Sequence, residues 1–262
     1  MIRKPISRKT DLTYMLISVA ILLACYSFLS WRQHIANPHD RSIPNLSQFV
    51  EGWKQLLHPD EFGRVWLLDD SLATGSRLLA GMGVAVVLSV FLGVGMGVHP
   101  PLESLFRPPI TFLFFVPATA MLAVYYTLFG TDFKMYVAMV GLGVSPSLSS
   151  SIFNAVRVDV EDHDIYKAYT LGASSFEVIL EVVFKQIFPR VIDSIRLAIG
   201  PAMLLLIAAE WANASVGFGY RLRIESRFNL NIVYTYLIFL FLFGFLTDRF
   251  LIWVRKTLCP WF

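Results

Sequence analysis

The chain has 262 residues, of which 56% are hydrophobic and only 16% are charged, and its mean hydropathy is +0.60. Soluble domains carry about 25% charged residues, so this composition predicts an integral membrane protein. The net charge of +3 is dispersed along the chain, and no run of like charges indicates a nucleic-acid surface. The two cysteines, Cys25 and Cys259, lack metal-ligand spacing.

Six stretches are long and apolar enough to cross a bilayer, which takes about 20 residues with few charges. They predict an all-α fold with one transmembrane domain, residues 12–253. The six helices are expected at about 12–31, 78–98, 108–130, 136–156, 194–215 and 229–253.

Four basic residues precede the first stretch: Arg3, Lys4, Arg8 and Lys9. The positive-inside tendency therefore places residues 1–11 in the cytoplasm. A signal peptide is the alternative, but the apolar run is longer than a usual h-region and no small-x-small cleavage motif follows it. Six crossings then put both termini, the loop 157–193 and the tail 254–262 in the cytoplasm.

The predicted outer loop after the first helix contains an amphipathic segment, residues 45–58. Its apolar residues recur at helical spacing behind Pro44 and Asn45, which predicts a helix that begins near Asn45. We expect this helix to lie at the membrane surface or on neighbouring helices.

The predicted inner loop 157–193 contains the pattern of two short helices joined by a sharp turn. Asp162 or Asp164 is expected to cap the first helix. Gly172 stands where a left-handed residue would end it.

The second helix of this loop begins with a capping box. Ser174 is followed three residues later by Glu177, so each side chain can satisfy a backbone N–H group of the other residue. The helix is expected to run toward Phe188 and to end at Pro189.

The turn between these helices resembles the EAA loop of ABC importer permeases. Ala168, Gly172 and the later Pro189 match the family pattern, as does the run Thr170–Ser174. Further matches lie outside this loop, in the order expected for the family: Arg77, Val116-Pro117, Ala209-Glu210, Gly217–Tyr220 and Asp248. Together they resemble the nitrate, sulfonate, taurine and bicarbonate subfamily.

Three positions depart from the family pattern. Tyr166 stands where the family has glutamate, and Lys167 replaces the first alanine. Lys185 occupies a position that is often proline.

The resemblance implies a six-helix, type I ABC importer permease in the bacterial inner membrane, with a coupling helix in the cytoplasmic loop. It also implies two ABC ATPase subunits that bind ATP and magnesium, a second copy of the permease, and an extracytoplasmic substrate-binding protein. The solute would be a small anion such as nitrate, a sulfonate, taurine or bicarbonate. The residues expected to contact the ATPase are Tyr166, Lys167, Ala168, Tyr169, Leu171 and Gly172.

The chain itself has no phosphate-binding motif of the Gly-x4-Gly-Lys-Ser/Thr type. It also lacks the zinc-protease and serine-hydrolase motifs, and its five histidines have no metal-ligand spacing. We therefore expect a transport subunit without enzymatic activity, cofactor or metal.

Glu210 is the ionisable residue expected at membrane depth, where an unpaired charge costs roughly 2.5 kcal/mol or more. Either it lies near the solute pathway or an outer gate, or it is a structural partner of Arg196, Arg77 or a helix terminus. Pro117 and Arg221 are the other pathway or gate candidates.

The segment after Glu210 is too polar and glycine-rich for an uninterrupted lipid-facing helix, and it predicts a bend. Its arginines, Arg221, Arg223 and Arg227, either attract an anion or docking protein or are solvated.

The glycines of the second predicted helix indicate close helix packing, with hinge motion as the alternative. They are Gly81, Gly83, Gly93, Gly95 and Gly97.

Two other classes of membrane protein compete with the importer permease. A self-contained secondary transporter or channel should show inverted repeats, several buried charges or paired broken helices. A membrane-bound enzyme should carry a catalytic constellation. The sequence shows neither pattern.

Overall fold

A computed structural model describes residues 7–38, 40–59 and 63–260. Arg3 and Lys4 of the basic start, and His39, lie outside the described residues. All regular secondary structure in the described ranges is helical.

The helices are α1 (Arg8–Ala36), α2 (Leu46–Leu57), α3 (Trp66–Val98), α4 (Pro100–Phe115), α5 (Leu122–Phe129), α6 (Phe133–Asp159), α7 (Asp162–Thr170), α8 (Ser175–Glu177), a π-helical segment (Val178–Phe184), α9 (Lys185–Asn213), α10 (Phe218–Glu225) and α11 (Leu230–Leu258).

Among the described residues, five helices are long and apolar enough to cross a membrane. Four are α1, α3, α6 and α11, and the fifth runs without interruption from Ser175 to Asn213. Most of them extend beyond the predicted apolar cores. Helix α3 begins at Trp66 rather than near Leu78, so two carboxylates assigned to the outer loop, Asp69 and Asp70, lie in its first turns.

The expectation of one continuous helix over 108–130 is wrong. Helix α4 ends at Phe115 and α5 begins only at Leu122. Val116 between them is extended, with φ −82° and ψ 119°, because the ring of a following proline disfavours the helical conformation. That proline is Pro117, which also cannot donate a helical hydrogen bond.

The expectation that Pro189 ends a helix is also wrong. Pro189 lies inside α9, which continues to Asn213. The preceding segment, Val178–Phe184, is π-helical. Local departures from α geometry of this kind let a helix in a membrane protein accommodate a proline.

The chain divides into two compact units. The first contains the described residues up to Val65 together with Ile224–Leu237. Within it, the Tyr26 hydroxyl donates to the carbonyl of Pro44 at 2.7 Å, and Arg41 donates to the Asn229 side chain at 2.7 Å.

Helix α2 in the first unit starts with a capping box between Asn45 and Gln48. A Cβ added at Gly52 would lie 2.8 Å from the Thr235 hydroxyl oxygen. Glycine therefore lets α2 approach α11 closely at this point.

The second unit contains Trp66–Arg223 and the residues from Ile238 onward. Its core lies along α3, α6 and α9. Helix α3 presents a stripe of small buried residues to α6, at intervals of four that keep them on one face. They are Gly81, Ala85, Ser89, Gly93 and Gly97.

Three of the five glycines expected to pack do contact α6. A Cβ at Gly81, Gly93 or Gly97 would lie 2.6 to 2.8 Å from the side chain of Val140, Ile152 or Val156, respectively. By contrast, a Cβ at Gly83 would meet no heavy atom within 4 Å, and at Gly95 the nearest is 3.5 Å away. The packing interpretation is correct at the first three positions.

Gly93→Ala should destabilise the second unit, because its Cβ would lie 2.9 Å from the Ser149 carbonyl oxygen, which belongs to the backbone and cannot rotate away. Overpacking of this kind costs about 1–3 kcal/mol. The matched control is Gly83→Ala, which should be neutral or stabilise by up to about 1 kcal/mol through helix propensity. Thermal unfolding in detergent measures both, and equal effects of the two substitutions would contradict the close approach of α3 and α6.

Candidate functional site

The first half of α3 carries three polar residues on one face. Asp70, Thr74 and Arg77 follow each other at intervals of four and three, which aligns their side chains along a helix. Asp70 is fully buried and Thr74 is 3% exposed. Buried polar groups need partners, and these partners come from α9 and the segment after it.

Glu210, one turn before the end of α9, is fully buried. Arg77 Nη1 donates to its carboxylate at 2.7 Å. The Thr74 hydroxyl lies 3.0 Å from both carboxylate oxygens, and the backbone N–H of Gly219 donates to Oε2 at 3.0 Å. The charge of Glu210 is therefore paired and its oxygens are satisfied.

The chain turns sharply after α9 and enters α10. Gly217 has φ +121°, a conformation that L side chains rarely adopt. Its N–H donates to Asp70 Oδ1 at 2.9 Å, and the N–H of Phe218 donates to the Thr74 hydroxyl at 2.9 Å. The N–H of Phe218, which has no partner within α10, and that of Gly217 just before the helix are thus satisfied by α3.

Two glycines allow this contact. A Cβ at Gly217 would lie 2.7 Å from the Glu210 carboxylate, and a Cβ at Gly219 would lie 2.4 Å from the Ile207 carbonyl oxygen. A side chain at either position would push α10 away from Glu210.

Arg221 on α10 completes the arrangement. Its Nε atom lies 3.0 Å from Asp70 Oδ2, and its guanidinium stacks over the Trp66 ring at 4.2 Å. Arg77 stacks in the same way over the Tyr136 ring, also at 4.2 Å. We call Asp70, Thr74, Arg77, Glu210 and Arg221 the polar cluster; it contains two carboxylates and two guanidiniums.

The three pathway candidates have different surroundings. Glu210 and Arg221 both belong to the polar cluster. Pro117 lies in the break between α4 and α5, where its carbonyl accepts a hydrogen bond from Ala120 at 2.9 Å. Among the expected partners of Glu210, Arg77 and a helix terminus, the N–H of Gly219 at the start of α10, are found. Arg196 instead pairs with Asp248 at 3.2 Å.

The arginines beyond Glu210 also have different partners. Arg223 donates to the carbonyls of Ala212 and Ala214, at 2.9 and 3.1 Å, and so closes the end of α9. Arg227 is exposed.

Sequence reasoning missed Asp70, because the sequence gives no sign that an aspartate near a helix start is buried against Arg221.

The loop 157–193 forms a closed turn after α7. Gly172 has φ +88°. The N–H of Gly172 donates to the Tyr169 carbonyl at 3.0 Å, and the N–H of Ala173 donates to the Ala168 carbonyl at 3.1 Å. This pair of bonds is the Schellman motif, which fixes the end of a helix. Glu161 rather than Asp162 or Asp164 occupies the N-cap of α7, without a side-chain cap.

The second half of the loop begins with the capping box of Ser174 and Glu177. The backbone N–H of Ser174 donates to the Glu177 carboxylate at 2.7 Å. The Gln186 amide donates to Asp164 at 2.7 Å, which ties α7 to α9.

This loop exposes large apolar side chains. Tyr166 is 67% exposed, Leu171 81% and Phe176 69%, and Tyr169 is also exposed. Lys167 is exposed and Ala168 is half-buried. Contiguous exposed apolar groups on an ordered loop mark a surface for another protein. Phe176 was not among the predicted contact residues, because its position inside the capping box suggested only a helix start.

No group of three His, Cys, Asp or Glu side chains in the described ranges is arranged to hold a metal ion.

The fold and these sites define a multi-pass membrane transport subunit, and comparison with known proteins identifies the family. Residues 85–258 match the family of binding-protein-dependent transport system inner membrane components. The match covers more than half of the chain, which therefore belongs to this family. It is an inner-membrane ABC importer permease of the nitrate, sulfonate, taurine and bicarbonate type.

Three relatives illustrate the relationship. The taurine transport system permease protein of Escherichia coli is 25% identical over 83% of this chain and 77% of its own length. A Bacillus subtilis protein named as a candidate aliphatic sulfonates transport permease is 27% identical over 68% of this chain and 62% of its own. The bicarbonate transport system permease protein of Synechococcus elongatus is 21% identical over 71% of this chain and 67% of its own length.

Glu210→Gln should destabilise the protein by about 3–5 kcal/mol, the usual cost of breaking a buried ion pair from one side. The glutamine side chain would leave Arg77 without a charge partner. The N–H groups of the new amide would also face groups that donate hydrogen bonds to the Glu210 carboxylate. The matched control is Glu181→Gln, because Glu181 pairs with Lys185 at a site where both side chains are 63% exposed, and such pairs contribute about 0–1 kcal/mol.

Thermal unfolding and yield of folded protein measure both variants. Folded Glu210→Gln of normal stability, with transport lost, would instead assign Glu210 to the solute pathway.

Proposed function

We propose that this chain is half of the translocation pathway of an ATP-driven importer for a small solute that carries an oxyanion group. A second permease copy completes the pathway, and two ATPase subunits that bind ATP and magnesium drive it. A substrate-binding protein delivers the solute from outside. The chain crosses the membrane six times, the broken α4–α5 segment being the third crossing, and both termini lie in the cytoplasm.

The observation that carries this proposal is the ordered loop with its exposed apolar surface. The Schellman turn, the positive φ of Gly172 and the capping box fix the loop, while Tyr166, Leu171 and Phe176 stay uncovered. Aromatic anchors of this kind dominate protein–protein binding energies. A transport subunit that lacks a nucleotide site needs such a contact to receive force from an ATPase.

The names of the relatives support the solute class. Taurine and aliphatic sulfonates carry a sulfonate group, and bicarbonate is itself an oxyanion. The shared chemical feature is a compact, oxygen-rich anionic group, and we assign it to the solute of this permease.

The mechanism follows from the covalent connection between the loop and the membrane. The helix that starts at Ser175 runs as one unit of 39 residues to Asn213. When ATP binding closes the ATPase pair, the loops of the two permeases move together. Each loop then carries its long helix as a rigid body and switches the pathway between inward- and outward-facing states.

Cysteine labelling tests the topology in a background without Cys25 and Cys259. In intact cells a membrane-impermeant maleimide should label Thr131→Cys but neither Ser104→Cys nor Ser175→Cys, and permeabilisation should expose the latter two. Comparing the labelling at positions 104 and 131 tests whether the segment formed by α4 and α5 crosses the membrane. Labelling of both from the same side would contradict the six-span path.

Gly172→Val should weaken binding to the ATPase while leaving the membrane domain folded. Valine at φ +88° costs roughly 1–2 kcal/mol of backbone strain, and no heavy atom lies within 4 Å of the added Cβ, so the effect is confined to the turn. Co-purification with the ATPase subunit and solute-stimulated ATP hydrolysis should both fall.

The matched control is Gly130→Val, which has a similar φ of +75° and the same open surroundings in another loop. It should keep normal ATPase association.

Gly172→Asn should be milder than Gly172→Val, because asparagine tolerates left-handed backbone. Tyr166→Ala and Tyr169→Ala should give partial losses, since truncating an interface aromatic costs about 1–4 kcal/mol. Normal transport and ATPase association in Gly172→Val would refute the coupling role.

A further inference from the structure

A small cavity of about 160 Å³ lies where α4 packs against the ends of α3 and α6. Four polar side chains line it, Arg107 and Thr111 from α4 and Ser150 and Asn154 from α6. Two buried apolar residues, Ile110 and Phe153, also line it. The cavity is separate from both the polar cluster and the cytoplasmic loop.

The charge beside this cavity is positive. Arg107 donates to Glu103 at 2.7 Å, and Arg157 donates to the other oxygen of the same carboxylate at 2.5 Å. One carboxylate thus faces two guanidiniums, and the three residues carry a net charge of +1. The Arg157 hydrogen bond is the main reason why the pKa of Glu103 lies below its usual range, so the carboxylate remains ionised near neutral pH.

Both arginines lie over the Phe153 ring. The guanidinium of Arg107 lies 5.3 Å from the ring centroid and that of Arg157 lies 5.8 Å from it. Arg107 nevertheless remains 62% exposed. A guanidinium has five N–H donors, and one contact to Glu103 leaves it able to receive an anion.

The surface that leads away from the cavity is polar. Ser147, Ser151 and Asn154 on α6 are all exposed, and the Ser151 hydroxyl lies 2.8 Å from that of Ser194 on α9. Exposed polar groups on a spanning helix are tolerated where they line a water-filled space rather than lipid. These exposed polar side chains continue the polar lining of the cavity along α6.

We propose that this cavity binds the oxyanion group of the solute during its passage, with Arg107 as the charged contact and Thr111, Ser150 and Asn154 as neutral polar contacts. Guanidinium is suited to this role because its planar fork matches the geometry of oxygen anions. The assignment rests on the proposed function, since it names the solute contact within that pathway. A phospholipid phosphate shares this chemistry, and the experiment separates the two sources.

The test measures binding of methanesulfonate and bicarbonate to the purified full-length chain in nanodiscs, without ATPase, by calorimetry. Arg107→Gln should weaken binding of at least one of these anions by roughly 10- to 100-fold, the effect of losing a hydrogen bond to a charged group. The matched control is Arg249→Gln, because Arg249 is also exposed and stacks over a phenylalanine, Phe245, at 5.0 Å. It should bind both anions normally.

Asn154→Leu provides a second variant that keeps all charges while filling the cavity and removing a polar contact, and it should also weaken binding. It keeps the test decisive if Arg107→Gln does not fold. If the wild-type chain binds neither anion, or if the cavity variants bind like Arg249→Gln, the proposal is wrong. Loss of retained phosphatidylglycerol in Arg107→Gln with unchanged anion binding would overturn it in favour of a lipid site.

These outcomes are independent of the ATPase contact. Arg107→Gln should co-purify with the ATPase as the wild type does. A wild-type chain that binds an oxyanion but has no ATPase partner would refute the importer function while leaving the cavity assignment intact.

Discussion

The cost of burying a charge away from water is the constraint on which the rest of this structure depends. A buried charge must find its partner within the protein, and Glu210 finds Arg77 at 2.7 Å. That pairing requires α9 to end beside the first half of α3, and the N–H of Gly219 in α10 donates to the same carboxylate. The glycines at 217 and 219 follow from it, because a side chain at either would collide with α9. Helix ends, turn and glycines are thus consequences of one ion pair.

The sequence predicts what is determined locally. Gly172, the Ser174–Glu177 capping box and the bend after Glu210 each depend on neighbours within a few residues, and the structure places a left-handed residue, a cap and a turn at these points. Asp70 was missed because its partner Arg221 is 151 residues away. The two prolines show the same limit, since Pro117 interrupts a helix and Pro189 does not. A proline removes one hydrogen bond in either case, and the tertiary surroundings decide whether the helix continues.

The long helix from Ser175 to Asn213 connects the two sites. Its first residues belong to the loop 157–193 and its last turns carry Glu210, so a displacement of the loop is applied directly to a helix anchored by a buried ion pair. The π-helical segment Val178–Phe184 lies between loop and anchor. Such segments occur often at functional positions, and here it is the part of the helix with irregular hydrogen bonding.

Charge balance separates the structural site from the binding site. The polar cluster holds two carboxylates and two guanidiniums, with both carboxylates fully buried and Arg77 and Arg221 only 11% and 15% exposed. An anion near it gains no net attraction and would have to displace a carboxylate from its partner. At Glu103, two guanidiniums share one carboxylate, and Arg107 remains accessible beside a cavity. Coulomb attraction between opposite unit charges strengthens as the local dielectric constant falls. One unbalanced positive charge next to a partly enclosed cavity therefore attracts an anion more strongly than the polar cluster, whose four charged groups sum to zero. In the proposed function, Glu210 therefore maintains the fold and the solute anion binds at the α4–α6 cavity.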